Sequence, residues 1–532
     1  MTTEDIADAL EITGKLMELH NENPFKIKSI NSAAYKLSKT RIDLSAPTIE
    51  ELTQLDGIGK SLAEKIIEFN TTGTSKELQD LMAKTPTGVI EMLGIKGLGP
   101  KKVRQLWHEL EIESVTELLY ACHENRLVEL KGFGEKTQNA IIQNIEFKIK
   151  NTGWFHYAYA EKIGNPIIDA LKEQTDFVSY TGAMYRKCEV IEEIDILVGD
   201  ESIDLDEFIS ETIPLNFIQC NPNVFYRKLV ETSATKEHLE GIQFASLETK
   251  KYDSEASIYT NLKIQYCEPE LREGLFELDK AKQNQLPKLI ELSDLKGILH
   301  NHSTYSDGMN TLEEMAKYCK ELGYEYLGIC DHSQTAVYAD GLKPETVLLQ
   351  HQEIEKLNKQ LFPFKIFKGI ESDILGNGDL DYEEDILKSF DFIVASVHAN
   401  LKMDEEKATT RLLNAIENPY TTILGHPTGR LLLGRPGYPI NHKKIIDACA
   451  ANNVVIELNA HPYRLDIDWR WIPYCLEKGV MISINPDAHQ LKGYHDMKYG
   501  TLVARKGLLT KDNCLNAMDL NAFESFLKNY KK

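Results

Sequence analysis

Cysteine is scarce in this sequence, and so is any long apolar run. Nine cysteines scattered over 532 residues are too few for a disulfide framework, and an odd number cannot all pair within one chain. A reducing cytosol is the expected setting. No window approaches ~18 uninterrupted apolar residues, and residues 1–20 (MTTEDIADALEITGKLMELH) lack the basic start and continuous apolar core of a secretory signal. The expectation is a cytoplasmic protein that is neither secreted nor membrane-bound. Positive charge is also in deficit: 60 Lys and Arg against 82 Asp and Glu give a net charge of -22. That argues at first sight against a nucleic-acid partner, because phosphate binding is driven by basic side chains. The deficit is uneven, however. Residues 1–150 carry about 19 basic and 23 acidic residues, residues 151–290 sum to about -11 and the remainder to about -7, so the front segment remains suited to local DNA contacts.

What is present is ordinary globular material, 42% hydrophobic and 27% charged, in a chain long enough for three or four domains at ~150 residues each. The front segment repeats one pattern three times: Leu55-Asp56-Gly57-Ile58-Gly59, Ile95-Lys96-Gly97-Leu98-Gly99 and Leu130-Lys131-Gly132-Phe133-Gly134. A helical run follows each copy. Two glycines spaced by one residue permit a hairpin with positive φ, and the helix after it offers free N–H groups and its positive dipole end to a phosphate. Lys60, Lys101, Lys102 and Lys136 stand at or just beyond these turns. A single copy reads as a plain helix boundary; three copies followed by lysines read as sequence-independent DNA-backbone binding. The motifs resemble helix-hairpin-helix units, and their order is similar to the lyase and fingers regions of X-family DNA polymerases. That resemblance places Lys65, in Ala63-Glu64-Lys65, at the family's Schiff-base lysine, the alternative being a plain helix-surface lysine.

Between about 151 and 290 the pattern becomes mixed helix and strand. Gly182-Ala183-Met184 precedes an alternating run in which Glu193 and Asp195 share one strand face and thus suit a divalent cation. This resembles the nucleotidyltransferase palm, with three departures. Ala183 stands where the family has a phosphate-binding serine, Glu193 where it has the first aspartate, and Asn216 where it has the third. Asn is a poor bridging ligand for two cations. The run 192–211 is also rich in acids without a basic residue, which would repel a primer-template backbone. The reading is a palm that keeps its fold and has lost efficient polymerisation; the alternative is a solvated acidic edge beside a working palm that uses Mg²⁺ and dNTPs.

Beyond residue 290 the chemistry changes. Ten of the 15 histidines lie in residues 300–495, and apolar strands alternate with helical runs as in a parallel β/α construction. Seven strands are predicted at 297–302, 326–332, 365–371, 391–398, 421–426, 453–459 and 480–489. They end in His300 and His302, His332, Glu371, His398, His426, Asn459, and Asp487 with His489; Asp307 follows on a Gly-containing turn. In β/α barrels functional groups gather at the C-terminal ends of the strands. Six histidines and three carboxylates there suit two or three Zn²⁺, Mn²⁺ or Fe²⁺ ions and phosphoester hydrolysis. Arg430, Arg435 and Arg464 follow later strands and are candidates to grip phosphate, or else surface residues.

The segments LHNHSTYSDG, CDHS, GIESDIL, SVHAN, GHPTGRLL, IELNAHPYRLDIDW and INPDAH resemble the polymerase-and-histidinol-phosphatase (PHP) domain fused to bacterial X-family polymerases. The resemblance implies a seven-stranded β/α barrel with a trinuclear metal centre on His300, His302, Asp307, His332, Glu371, His398, His426, Asp487 and His489. It also implies a manganese-stimulated 3′-5′ exonuclease acting on gapped, nicked or 3′-ended DNA. The expected class is multidomain α/β: lyase-like helix-hairpin-helix 1–85, fingers-like helix-hairpin-helix 86–150, degenerate palm 151–211, thumb-like 212–290 and PHP barrel 291–532. Two other functions fit less of the chain: a working gap-filling polymerase with an accessory nuclease, and a small-molecule phosphatase of the histidinol-phosphate type.

Overall fold

The computed structural model describes residues 2–39, 47–55, 57–123, 126–127 and 130–530; Asp56 of the first repeat lies outside the described residues. The chain forms two compact units, Met1–Thr152 and Gly153–Lys532. All nine cysteines are free thiols, eight of them buried. Among the described residues no helix is long and apolar enough to cross a membrane.

The first unit is all-α. Its leading helix, Thr3–Leu19, starts on a capping box in which the Thr2 side chain accepts from the Asp5 N–H and Asp5 accepts from the Thr2 N–H. The three repeats build the same hairpin. Ile58, Leu98 and Phe133 each donate a backbone N–H three residues back, to Leu55, Ile95 and Leu130, and all three are buried. These apolar residues tie each turn to the core, and the two glycines flanking each one are left at the surface. The helices that follow are Lys60–Thr72, Pro100–Leu110 and Glu135–Asn151.

The second unit opens with the helix Tyr157–Lys172 over a three-stranded sheet. In that sheet Ile194–Val198 lies between antiparallel Val178–Tyr180 and parallel Leu215–Gln219. Strand Ile194–Val198 is buried except at its one acid, Asp195, which is half-buried.

Short helices from Phe225–Ser233 to Glu277–Lys282 follow, and the barrel occupies the rest. Strands Gly297–Ile298, Tyr326–Ile329 and Lys365–Lys368 form one parallel ladder; Glu371–Asp373, Val394–Ser396, Ile423–Leu424, Val455–Asn459 and Ile482–Asn485 form another. Parallel bridges His332 to Glu371 and Asn301 to Ala488 join the two ladders at both edges, closing a ring of seven strand positions. One expectation needs correction: 365–371 is not a single strand. It breaks at Gly369, where a Cβ would lie 2.5 Å from both the Ile329 carbonyl and the Phe392 ring, so Glu371 opens a second short strand instead of ending the first. The end of the barrel where the strands begin is sealed by the helix Leu520–Tyr530, whose Phe523 stacks on Tyr326 with centroids 4.8 Å apart.

Barrel and palm share a charged seam. The barrel helix Met497–Lys506 sends Lys498 to Glu161 at 2.7 Å. The wholly buried Lys506 bonds to Glu273 at 2.6 Å and to the Arg186 carbonyl at 2.8 Å. A buried ammonium is tolerable only with such partners.

Candidate metal centre

Closure of the barrel is what assembles the site. The Asp487 N–H donates to the His300 carbonyl at 3.1 Å, and the His302 N–H donates to the Ala488 carbonyl at 2.8 Å. This ladder puts His300, His302, Asp487 and His489 on one rim although some 190 positions separate them. Asp487 has φ of 52°, a left-handed backbone that costs a non-glycine residue about 1 kcal/mol and turns the chain at the point where its carboxylate enters the cluster. Gly308 has no room for a Cβ, which would sit 2.3 Å from the His302 carbonyl oxygen; the tight turn carries Asp307 back over the rim.

All nine sequence-predicted donors meet here. Glu371, fully buried, lies at the centre. Its Oε1 is 3.2 Å from His300 Nε2, 3.1 Å from His398 Nε2 and 3.0 Å from His426 Nε2, and its Oε2 is 3.0 Å from His332 Nδ1. Asp487 Oδ1 is 3.0 Å from His302 Nε2, and Asp307 Oδ1 is 3.4 Å from His489 Nε2. Three sets have their donor atoms within 4.8 Å of one another: His302, Asp307, His332 and His489; His300, His302 and Asp487; His332, Glu371 and His398. His302 and His332 each belong to two sets, so the three are contiguous.

The electrostatics is that of interlocked imidazoles and carboxylates. Burial opposes protonation of His300, yet the charges of Glu457, Glu371 and Asp487 raise it well above the ordinary imidazole value. The same contest, with Glu371 and Asp373 as partners, takes His398 up to about 10, and Asp307 and Asp487 take His489 up to about 9. Burial and the neighbouring His489 and His332 push His302 down to about 3. The donor set fits divalent cations on a structural observation: the buried ring nitrogens His300 Nε2 and His302 Nδ1 make no hydrogen bond, although both face carboxylates.

A supporting layer escaped the sequence reading. His300 Nδ1 donates to Glu457 Oε1 at 2.6 Å, and His398 Nδ1 donates to Asp373 Oδ1 at 2.5 Å; such bonds fix ring tautomer and orientation. Asn459, which the sequence already marks as a strand-end residue, donates to Asp487 Oδ2 at 3.0 Å. Asp331, fully buried, accepts from the backbone and side chains of Ser303 and Ser306 and from Gln350, pinning the loop that ends at Asp307. Of the three arginines, Arg464 faces the cluster, Nε 3.9 Å from Asp487 Oδ2. Arg430 is instead engaged with Asp468 and with the carbonyls of Arg464 and Leu465, and Arg435 donates to the Gly429 carbonyl. Both guanidiniums brace the rim loops.

The palm offers a contrasting picture. Asp195 pairs in register with Asn216, whose amide donates to its Oδ1 at 2.7 Å. Gly182, at φ of 56°, backs so closely onto Asp195 that a Cβ would meet its carboxylate at 2.1 Å. Ala183 follows in the same turn, Glu193 is exposed just ahead of the strand, and among the described residues no three acid, thiol or imidazole donors converge at the palm. In the first unit Gly57, Gly97 and Gly132 have φ of 77°, 91° and 91°, as the hairpins require. Nothing lies within 4 Å of a Cβ built on Gly59, Gly99 or Gly134, so at those positions no protein neighbour demands glycine. Lys60, Lys101, Lys102 and Lys136 follow these turns, and Lys101 is 88% exposed. Lys65 is mostly buried against Glu77; burial first and the charge of Lys26 second lower its pKa.

These features define a class: a β/α barrel bearing a polynuclear-type donor cluster, carried on a chain with helix-hairpin-helix repeats. Comparison with known families agrees. Residues 1–75 match a helix-hairpin-helix domain, 89–146 a SAM-like helix-hairpin-helix tandem and 299–461 a PHP domain. The chain is 33% identical to the DNA polymerase/3′-5′ exonuclease PolX of Bacillus subtilis (strain 168) across 99% of its own length and 100% of that protein. It therefore belongs to the PolX family, bacterial X-family polymerases with a C-terminal PHP domain. Probable phosphatases are also similar: one from Clostridium novyi (strain NT) is 29% identical over 36% of this chain and 78% of its own. Another, from Thermoanaerobacter sp. (strain X514), is 28% identical over 45% of this chain and 97% of its own.

Proposed function

We propose that this protein is a DNA-repair hydrolase whose barrel removes nucleotides from DNA 3′ ends, while the segments 1–85 and 86–150 hold the DNA backbone without regard to sequence. The degenerate palm (151–211) and thumb-like segment (212–290) then serve mainly as a platform for the barrel at 291–532, with polymerisation weak or lost. Nine free thiols, eight of them buried, suit a reducing cytoplasm.

His300, His302, Asp307, His332, Glu371, His398, His426, Asp487 and His489 would hold two or three divalent cations, Mn²⁺, Zn²⁺ or Fe²⁺. Such ions supply a hydroxide near neutral pH and neutralise charge on the attacked phosphate. The chain's own part is orientation. Glu457 and Asp373 fix the rings of His300 and His398, Asn459 holds Asp487, and Asp331 holds the loop of Asp307. Arg464, on the rim beside Asp487, is placed to take a phosphate oxygen. In the first unit, Gly59, Gly99 and Gly134 leave space for close approach of a phosphate to the N–H groups and lysines of the following helices.

The observation that carries this reading is the convergence of all nine donors on one rim, set against a palm whose one strand acid is hydrogen-bonded to an amide. The test is a 3′-labelled gapped duplex incubated with Mn²⁺, with and without dNTPs. Shortening that is lost in His300→Ala supports the reading. Unchanged shortening in that variant, or extension abolished by Asp195→Ala, overturns it. The similarity of the barrel alone to probable phosphatases favours one second reading, a small-molecule phosphatase; hydrolysis of histidinol phosphate far faster than of DNA would select it.

A further inference from the structure

Beside the cluster the rim carries an aromatic platform. Tyr463 is 50% exposed. One ring contact is the imidazole of His156, with centroids 4.2 Å apart and planes 31° apart; a second is His461, edge-on at 5.3 Å and 73°. The backbone of Tyr463 is fixed at both groups: its N–H donates to His461 Nδ1 at 3.2 Å, and its carbonyl accepts from the Leu432 N–H at 2.7 Å. His156 is held in turn by donating Nε2 to the Leu432 carbonyl at 2.9 Å. The same loop is tied to the donor cluster through Asn459, which accepts from the His461 N–H at 3.1 Å and donates to Asp487 at 3.0 Å. Arg464, the next residue, points to Asp487.

A ring immobilised in this way presents apolar area at little entropic cost. Adjacent to a guanidinium at the edge of the cluster, it matches a ligand with a phosphate on one side and a flat heterocycle on the other. We propose that Tyr463 is the stacking platform for the base at the 3′ end of the DNA, and that His156, from the polymerase-like part of the chain, is its positioning residue. The platform would make the barrel prefer nucleotides over small phosphoesters. The proposal rests on the phosphoesterase reading only for the identity of the neighbouring site.

Two measurements on the full-length protein test it. First, an oligonucleotide with 5-iodouracil at its 3′ terminus is irradiated with the protein in Ca²⁺. The expected adduct maps to the peptide bearing Tyr463 and disappears in Tyr463→Ala; an adduct mapped elsewhere overturns the proposal. Second, kinetics in Mn²⁺ compare that oligonucleotide's unmodified form with bis(p-nitrophenyl) phosphate. Loss of a base-aromatic stack should raise KM for the oligonucleotide about five- to hundredfold in Tyr463→Ala, at least fivefold more than any loss on the small diester, with Tyr463→Phe restoring most of it. His156→Ala should move KM the same way by a few-fold, with kcat nearly constant. Equal losses on both substrates would reduce Tyr463 to a structural residue and overturn the proposal. The adduct without hydrolysis of either substrate would sustain the platform and sink the phosphoesterase reading; hydrolysis indifferent to Tyr463→Ala would do the reverse.

Discussion

The palm and the barrel lie in one compact unit and both place an acid on a parallel ladder, yet among the described residues only the barrel gathers a charge cluster. In the barrel, ring closure brings three carboxylates and six imidazoles together, and a second layer of Glu457, Asp373, Asp331 and Asn459 holds them. In the palm, Asp195 faces Asn216 across the register, and the amide supplies from within the chain the hydrogen bond that a cation's field would otherwise replace. The strand pairing accommodates Asp195 because the facing amide donates to its carboxylate without adding a like charge.

That contrast can be broken most severely at the cluster. His300→Ala should lower 3′ shortening by at least about 10³-fold, several kcal/mol of transition-state stabilisation, whereas Asp195→Ala should leave it within about twofold; equal effects in a side-by-side assay would erase the distinction. Glu457→Gln, which keeps shape but removes the charge that orients His300, should weaken metal binding about 10- to 100-fold, readable by competition with a chelator. Proton linkage gives a third handle. With His398 raised to about 10 and His489 to about 9 in the metal-free protein, loading with Zn²⁺ at pH 7.5 should release about two protons or more, measured in weak buffer. The sign for stability follows. Because the folded pKa of His398 is raised to about 10 above an unfolded value near 6.5, its stabilisation is complete below about pH 6.5 and is lost as pH rises toward 10. Metal-free protein that is more stable at pH 10 than at pH 6.5 in urea denaturation would contradict this.

The palm side sharpens the comparison from the opposite direction. Asn216→Asp places a second carboxylate against Asp195 and should destabilise the metal-free protein by about 1–3 kcal/mol, with Mg²⁺ recovering most of it. No destabilisation would mean that the amide was not balancing Asp195. The smallest effect belongs to the first unit: replacing Lys101 and Lys102 together by Ala should reduce the slope of log K against log salt for DNA binding by about two, at ~0.9 per phosphate contact.

The nine donors were legible because they stand in dense local patterns, His300-x-His302 and Asp487-x-His489 among them, at the ends of apolar runs. Their supports were legible only in part. Glu457 shares a strand face with Asn459 by the two-residue period, and an acid inside a fully buried strand signals a fixed partner; the partner, His300, is 157 positions away, and no local pattern names it. The break of 365–371 was announced by Gly369, since glycine inside a strand marks close approach of another backbone. Arg430 and Arg435 look like phosphate ligands in sequence because the carbonyls that engage them belong to loop geometry. Tyr463 lies within the quoted segment IELNAHPYRLDIDW, but its contact with His156 comes from the packing of the palm against the barrel.

The proposed site draws residues spread over the C-terminal half together around several cations. Elemental analysis of the full-length protein after saturation with Mn²⁺ or Zn²⁺ and removal of free metal tests it most directly. Two or three ions per chain, falling sharply in Glu371→Ala, is the expected result. One ion or none in the wild-type protein, or a count indifferent to Glu371→Ala, would contradict it.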